Sequence, residues 1–415
     1  MKRIAISLVA LLGAGTLLMS CKDGNSFFAS VVQASLSSAY RADITGQEDI
    51  YTGDLGNGLA FTFPAVRGVD YYVEFNGTSS RDEVVFEVMG DDGAGLHSKS
   101  RKSSEIYHYR HERKSQHLLV TVRPRNPLES ITIIKLRLTA AGAYPSDQVH
   151  INFIVAGEFT GYPYNNSLVS PGDQGAFIDG VMANVQALFA SQAGITVTYE
   201  GFFYNADQVR AWNPALINAS NQAVSNANET LSSTGFEVVD QTGLDAWGAL
   251  GFADQGYPKS DPNYVRAHGI NVYLIHHFTR DGTVGLSPRP GMIVGAGPET
   301  ALAVGAFLQL GGSFSPRSPE QVATVLTHEI GHFLGLLHTT TFTPSFTAPT
   351  AAVDDGLDDT PKCTVLTDNN GDGMVGLGDG CEDEGNLMFY QAGSQVTFSP
   401  KQGAVMRTML STQEH

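Results

Sequence analysis

Four residues near the middle of the second half, His328, Glu329, His332 and His338, have the types and spacing that could do chemistry. His328 and His332 stand four apart inside an apolar-periodic run that begins near Pro319-Glu320-Gln321-Val322. On a helix that spacing sends both imidazoles off one face, one turn apart. Two neutral ring nitrogens so placed can hold one zinc at about 2.0–2.1 Å each. Glu329 follows the first histidine, where its carboxylate lies beside the metal without binding it. There it can take a proton from a zinc-bound water, whose pKa the ion lowers from ~15.7 towards ~7. Gly335 is where the chain must leave the helix, because glycine enters the left-handed region freely. The turn then brings His338 back as the third ligand. Three histidines and one open position describe a catalytic zinc, whereas a structural zinc fills all four positions. Two histidines alone would also suit a helix whose rings are satisfied by backbone or water; the glycine and third histidine at these offsets argue against it.

A second metal signal lies further on. Asp368, Asn370 and Asp372 occupy positions 1, 3 and 5 of a twelve-residue loop, with Gly373 at 6, Met374 at 7 and Asp379 at 12. This fits an EF-hand-type calcium loop, although Asp stands where Glu is usual and no clear helices flank it. The alternative is a Gly/Asp-rich surface turn. Asp354, Asp355, Asp358 and Asp359 form another acidic cluster, read either as a further calcium site or as a solvated face. His276 and His277 end a strand and are read as structural.

The 415 residues suffice for two or three domains with a sizeable core. A hydrophobic content of 42% with 45 glycines suits a globular, loop-rich protein. The net charge of −17 falls entirely after residue 147, since the preceding part carries 16 basic and 16 acidic residues. An acidic second half disfavours nucleic acid, whose phosphates it would repel. Lys2 and Arg3 followed by the apolar stretch Ile4 to Leu18 read as a signal peptide over residues 1–20. Leu18-Met19-Ser20-Cys21 resembles a bacterial lipobox, with Cys21 lipidated; the alternatives are an ordinary cleaved signal or a short membrane anchor. The expected location is therefore the cell envelope, with the membrane reached only through the lipid. Setting Cys21 aside leaves Cys363 and Cys381, eighteen apart, and in an exported chain a disulfide is the natural reading.

Residues 21–43 read as a tether with a short helix from Phe27 to Tyr40. From 44 to 142, alternating runs such as Leu59–Phe63, Tyr71–Phe75, Val84–Val88, His117–Val122 and Ile131–Leu138 predict a small all-β sandwich. Between His97 and His117 lie six Lys/Arg and four His against two acids, read as a solvated hairpin or as a surface for acidic polymers. Residues 146–415 read as an α/β unit. Its predicted order is strand 149–155, helix 177–192, strands 195–199 and 271–275, an edge strand at Met292–Val294, the histidine helix, and a closing helix at 400–410.

The eleven residues from His328 to His338 match the metzincin zinc motif in full. Asn386-Leu387-Met388-Phe389-Tyr390 resembles the metzincin Met-turn, and Asp359-Thr360-Pro361 followed by Cys363 looks like the pappalysin branch, in particular its cytophagalysin-like group. The resemblance covers roughly residues 148–412. It implies a metzincin-type α/β catalytic domain, with a twisted mixed sheet above the active-site helix. It also implies a zinc endopeptidase acting on protein or peptide, which lies along an edge strand above the metal. Met388 would form the apolar floor under the histidines, and Tyr390, a neutral donor at pH 7, can stabilise the oxyanion of the tetrahedral intermediate. Calcium in the 368–379 loop would stiffen the approach to both. The rival readings are a catalytically silent binding or adhesion lipoprotein, and a hydrolase of envelope peptide cross-links. The presence of Glu329 weighs against the first. A monomer is the default.

Overall fold

A computed structural model describes residues 40–41, 49–56, 58–90, 94–140, 144–155, 171–204, 237–238, 256–275, 277–278, 282–294, 298–310, 313–343, 351–355, 357–365, 367–371, 375–391 and 395–415. The signal segment, Cys21, His276, Asp372 and Met374 lie outside the described residues, as does all but Tyr40 of the helix predicted in the tether.

The alternating runs form strands β1 (Tyr40–Arg41), β2 (Asp49–Asp54), β3 (Leu59–Ala65), β4 (Asp70–Gly77), β5 (Glu83–Gly90), β6 (Gly95–Lys102), β7 (Ile106–Arg110), β8 (Gln116–Pro124) and β9 (Thr132–Ala140). One sheet runs β1-β3-β8-β5-β6 and the other β2-β9-β4-β7. Phe61, Phe86 and Val120 from the first and Phe75, Leu136 and Leu138 from the second share one core. The pairs are antiparallel except β1, which runs parallel to β3 at Ala60 and Phe61. Tyr40 is thus a strand residue and not a helix end.

The predicted basic hairpin needs correction. β6 pairs with β5 and β7 with β4, so the two strands edge different sheets. His97, Lys99 and Arg101 sit opposite Val88, Phe86 and Val84 in the register of the edge strand, and His97 and Lys99 stay exposed there. Charges carried along an edge strand oppose its pairing with another chain. Tyr107 stacks on Phe86 at 5.0 Å and shares a 2.7 Å hydrogen bond with His97 Nδ1. Arg110 and His108 both bind Asp70, at 2.7 and 2.8 Å.

The second unit contains β10 (Gln148–Val155), α1 (Pro171–Leu188, continued by a wider turn to Ala193), β11 (Thr196–Thr198), β12 (Phe202–Tyr204), β13 (Glu237–Val238), α2 (Pro262–Ala267) and β14 (Ile270–Ile275). There follow β15 (His277–Phe278), β16 (Gly285–Leu286), β17 (Ala301–Gly305), β18 (Phe307–Leu310), β19 (Ser313–Pro316), α3 (Pro319–Phe333), β20 (Thr340–Thr343), β21 (Ala351–Asp354) and α4 (Pro400–Ser411). The main sheet is ordered β11-β10-β14-β17-β16, with β12 also on β10. All its pairings are parallel except that of β16, which runs antiparallel to β17.

The edge strand is therefore Gly285–Leu286 and not Met292–Val294. The latter segment spends its amides elsewhere: Met292 N–H donates to Glu299 O at 2.7 Å and Ile293 N–H to Gln413 Oε1 at 2.8 Å. β17, Ala-Leu-Ala-Val-Gly, is buried throughout and has no polar alternation, which is why the pattern gave no strand there.

The helix carrying the first two histidines starts where local chemistry says it should. Ser318 accepts from Gln321 N–H while the Gln321 side chain accepts from Ser318 N–H, with Pro319 in the first turn. The same Ser-Pro-x-Gln device opens α4 at Ser399–Gln402. Val322, Leu326, Ile330 and Phe333 face a core shared with the sheet and α1. Among the described residues no helix is long and apolar enough to cross a membrane.

The sandwich rests on this unit. Ser115 donates to Glu299 Oε2 from both N–H (3.0 Å) and Oγ (2.7 Å), and Val66 packs with Met292 and Met409.

Candidate metal centre

α3 and the turn after it bring His328, His332 and His338 together, all buried. His338 Nε2 lies 3.2 Å from His328 Nε2 and 3.1 Å from His332 Nε2. Two nitrogens bound tetrahedrally to one zinc at about 2.05 Å stand about 3.3 Å apart, so these separations suit that ion. The outer nitrogens fix the tautomers. His328 Nδ1–H donates to Leu387 O at 2.6 Å and His332 Nδ1–H to Leu336 O at 2.8 Å, which turns both Nε2 lone pairs inward. Burial, and then the neighbouring His338, push the His328 ring down to about 3. Burial, with His328 and His338 beside it, holds His332 well below its usual range. Neutral rings with converging lone pairs are what a divalent cation needs, and the three residues fit zinc.

Glu329 is fully buried. Its carboxylate presses against the edge strand: a Cβ on Gly285 would fall 2.3 Å from Oε1. Met388 lies on the other side of the helix turn, where a Cβ on Gly331 would meet its Sδ at 2.5 Å. Met388 thus packs on the glycine that stands between His328 and His332. Asn386 Oδ1 accepts Met388 N–H at 2.8 Å, and Met388 O accepts Thr339 N–H at 3.0 Å, tying the turn to the residue after His338. Asp383 Oδ2 accepts both the Thr339 and Thr340 hydroxyls at 2.6 Å, and burial pushes this carboxyl up. Leu387 O, Leu336 O, Gly285 and Asp383 carry no motif of their own, so spacing alone does not find them.

Tyr390 is placed differently from its expected role. Its hydroxyl donates to Val375 O, and its ring packs with Phe389 and the Cys363–Cys381 disulfide. That disulfide is formed, with S–S 1.98 Å.

In the 368–379 loop, Asp379 Oδ1 accepts Asn369 and Asn370 N–H at 2.7 and 2.9 Å, and Oδ2 accepts Gly376 N–H at 2.6 Å. Asp368 Oδ1 accepts Gly371 N–H at 2.6 Å, and Asn370 Nδ2 donates to Leu377 O at 2.8 Å. These side chains bond within the loop.

The acidic cluster after His338 clasps α4. Asp359 accepts Ser399 Oγ and Lys401 N–H, each at 2.8 Å. Asp358 pairs with Lys401 at 2.8 Å, and buried Asp355 accepts the Thr360 hydroxyl at 2.6 Å.

Fold and site together give a candidate metal centre, three buried histidines beside a buried carboxylate. The family described as Peptidase M43, pregnancy-associated plasma protein-A, matches residues 262–411, a span holding all three histidines, Glu329, Met388 and the disulfide. At family level this supports a zinc metalloprotease, a hydrolase acting on proteins or peptides. No curated protein matches the chain. Among solved structures, a periplasmic inhibitor of g-type lysozyme from Aeromonas hydrophila is similar at 14% identity over 25% of this chain and 99% of its own, with a TM-score of 0.19. The pre-peptidase C-terminal domain of a Bacillus anthracis collagenase gives 8% identity over 25% of this chain and 97% of its own, also with a TM-score of 0.19. Overlaps this slight carry no argument.

Proposed function

We propose that the chain is a zinc-dependent endopeptidase, exported and anchored through Cys21, with Glu329 as general base. The observation that carries this is the convergence of three buried histidine Nε2 atoms beside a buried carboxylate. His328, His332 and His338 would hold the ion, which when bound polarises a scissile carbonyl and lowers the pKa of a water. Glu329 would take a proton from the attacking water and pass it to the leaving amine. The peptide pairs along the outer side of β16, an edge of the main sheet, as an added strand. Tyr390 serves the oxyanion only once its hydroxyl leaves Val375 O.

Calcium in the 368–379 loop remains part of this reading on the strength of the spacing of Asp368, Asn370, Asp372, Met374 and Asp379. A calcium-selective chelator at zinc-sparing levels should lower both activity and melting temperature, and no change in either removes calcium from the account. The central test is casein hydrolysis by the chain from Lys22 onward, beside Glu329→Gln, with zinc measured on both. The wild type should cleave, and the variant should keep about one zinc while losing about 10²–10⁴-fold in rate. A wild type that holds no zinc would sink the proposal.

A further inference from the structure

The turn that returns His338 is held from outside its own unit. Gly335 has φ +90°, and a Cβ there would fall 2.9 Å from Pro64 Cγ of the sandwich and 3.0 Å from Met409 Cγ of α4. The Gly335–Leu336 peptide unit is planar, so gripping both its ends fixes its orientation. Leu336 N–H donates to Gly331 O at 2.9 Å. On the opposite side, Gly335 O accepts from His117 Nε2–H at 3.1 Å. His117 belongs to β8 of the sandwich, is 5% exposed, and also reaches the carbonyl of Arg289 in the segment leaving β16. Burial, and then the Arg289 charge, push its ring down to about 4, so at neutral pH it has one proton to donate. The next carbonyl, Leu336 O, is the one that sets the His332 tautomer, and His338 lies two residues beyond it.

We propose that His117 is a positioning residue for the metal centre: by holding Gly335 O it orients the peptide unit that presents Leu336 O to His332 and delivers His338. The sandwich is then a working part of the enzyme, not a removable pro-segment. The inference deepens the zinc-peptidase reading and rests on it for its activity readout alone. Without this bond the Gly335–Leu336 peptide unit is gripped at its N–H end alone, and the third ligand's approach is less closely fixed.

The test uses the full chain with His117→Leu, which has no donor, and His117→Gln, whose amide nitrogen falls near the position of Nε2. His117→Leu should release zinc to a chromogenic chelator about 10–100-fold faster, the range typical of lost outer support. In the zinc-free protein its Leu336 amide should exchange faster by a similar factor. On a peptide substrate, kcat should fall while KM stays within about twofold, as for a residue acting on the reacting geometry and not on substrate binding. His117→Gln should restore each readout to within about threefold of wild type. Glu299→Gln, which loosens the sandwich elsewhere, should lower the melting temperature without changing zinc release.

A His117→Leu protein that melts lower but releases zinc and exchanges Leu336 like wild type would overturn the proposal. So would a Glu299→Gln protein with the same fast zinc release. Should His117→Leu fail to fold, His117→Asn, whose donor stops short of Gly335, takes its place against His117→Gln under the same criteria. Zinc release and amide exchange need no turnover, so a wild type that binds zinc but cleaves nothing would sink the peptidase reading and leave this test intact.

Discussion

Two of the three clustered histidines are oriented by backbone carbonyls. Leu387 O and Leu336 O hold Nδ1 of His328 and His332, so neither ring can turn its Nε2 away without leaving a buried donor unpaired. Glycines at two contacts let the backbone come close enough for this. Gly331 admits Met388 under the ligand helix, and Gly285 admits the Glu329 carboxylate against the edge strand. Gly285→Ala is the sharper probe, because the side chain it strikes is that of Glu329, from Oε1 to Cγ. The fold should survive while the proposed base moves. We expect the melting temperature to hold, zinc to stay at about one per chain, and kcat to fall by about 10²-fold, the cost of roughly 1 Å of misplacement. Unchanged kinetics in the alanine variant would mean that Glu329 does not need its present position.

At the level of elements, α3 and α4 are positioned by the same device, a serine cap reciprocated by glutamine three residues on, with proline between. α4 has an additional anchor in Asp359, whose two oxygens take Ser399 Oγ and Lys401 N–H. A carboxylate at a helix N-terminus also meets the positive end of the helix dipole. Asp359→Ala should therefore cost about 1–2 kcal/mol in urea unfolding, comparable to losing a strong cap. A change below about 0.3 kcal/mol would show that Ser399 and Gln402 suffice without it. The acidic cluster thus has a mechanical use that its charge alone did not suggest. The edge strand is a case of the opposite kind: Gly285-Leu286 is too short to read as a strand, and only pairing with β17 makes it one.

For the whole molecule, the sandwich and the unit that carries the three histidines meet at Glu299, at the Val66–Met292–Met409 cluster and at His117. His117 makes the stability of the assembly depend on pH. Its folded pKa of about 4 lies below the ordinary value of 6.5, because burial and the facing Arg289 oppose the cation. Between those values the unfolded chain binds a proton that the folded chain does not. The stabilisation is therefore fully present above pH 6.5 and is lost as pH falls towards 4. Between pH 7 and pH 5 this residue alone should account for about 2 kcal/mol. Urea unfolding of zinc-free wild type and His117→Gln at the two values measures it: the wild type should lose about 2 kcal/mol more than the variant. Equal losses would mean that the ring takes up its proton without leaving the interface.

What the sequence determined by itself is whatever depends on near neighbours. The spacing of His328, Glu329, Gly335 and His338 follows from helical period and one left-handed turn, and the sandwich strands from alternation of period two. The Cys363–Cys381 pair was legible too, because only one partner was available to each once Cys21 was set aside. The tertiary structure decided what depends on distant chain segments meeting. It made Gly285–Leu286 the sheet edge, set Leu387 O behind His328, turned the Tyr390 hydroxyl to Val375 and brought His117 from 218 residues away onto Gly335. Backbone carbonyls are identical in every residue, so their roles as tautomer-setting partners leave no mark in the sequence and exist only once the chain has packed.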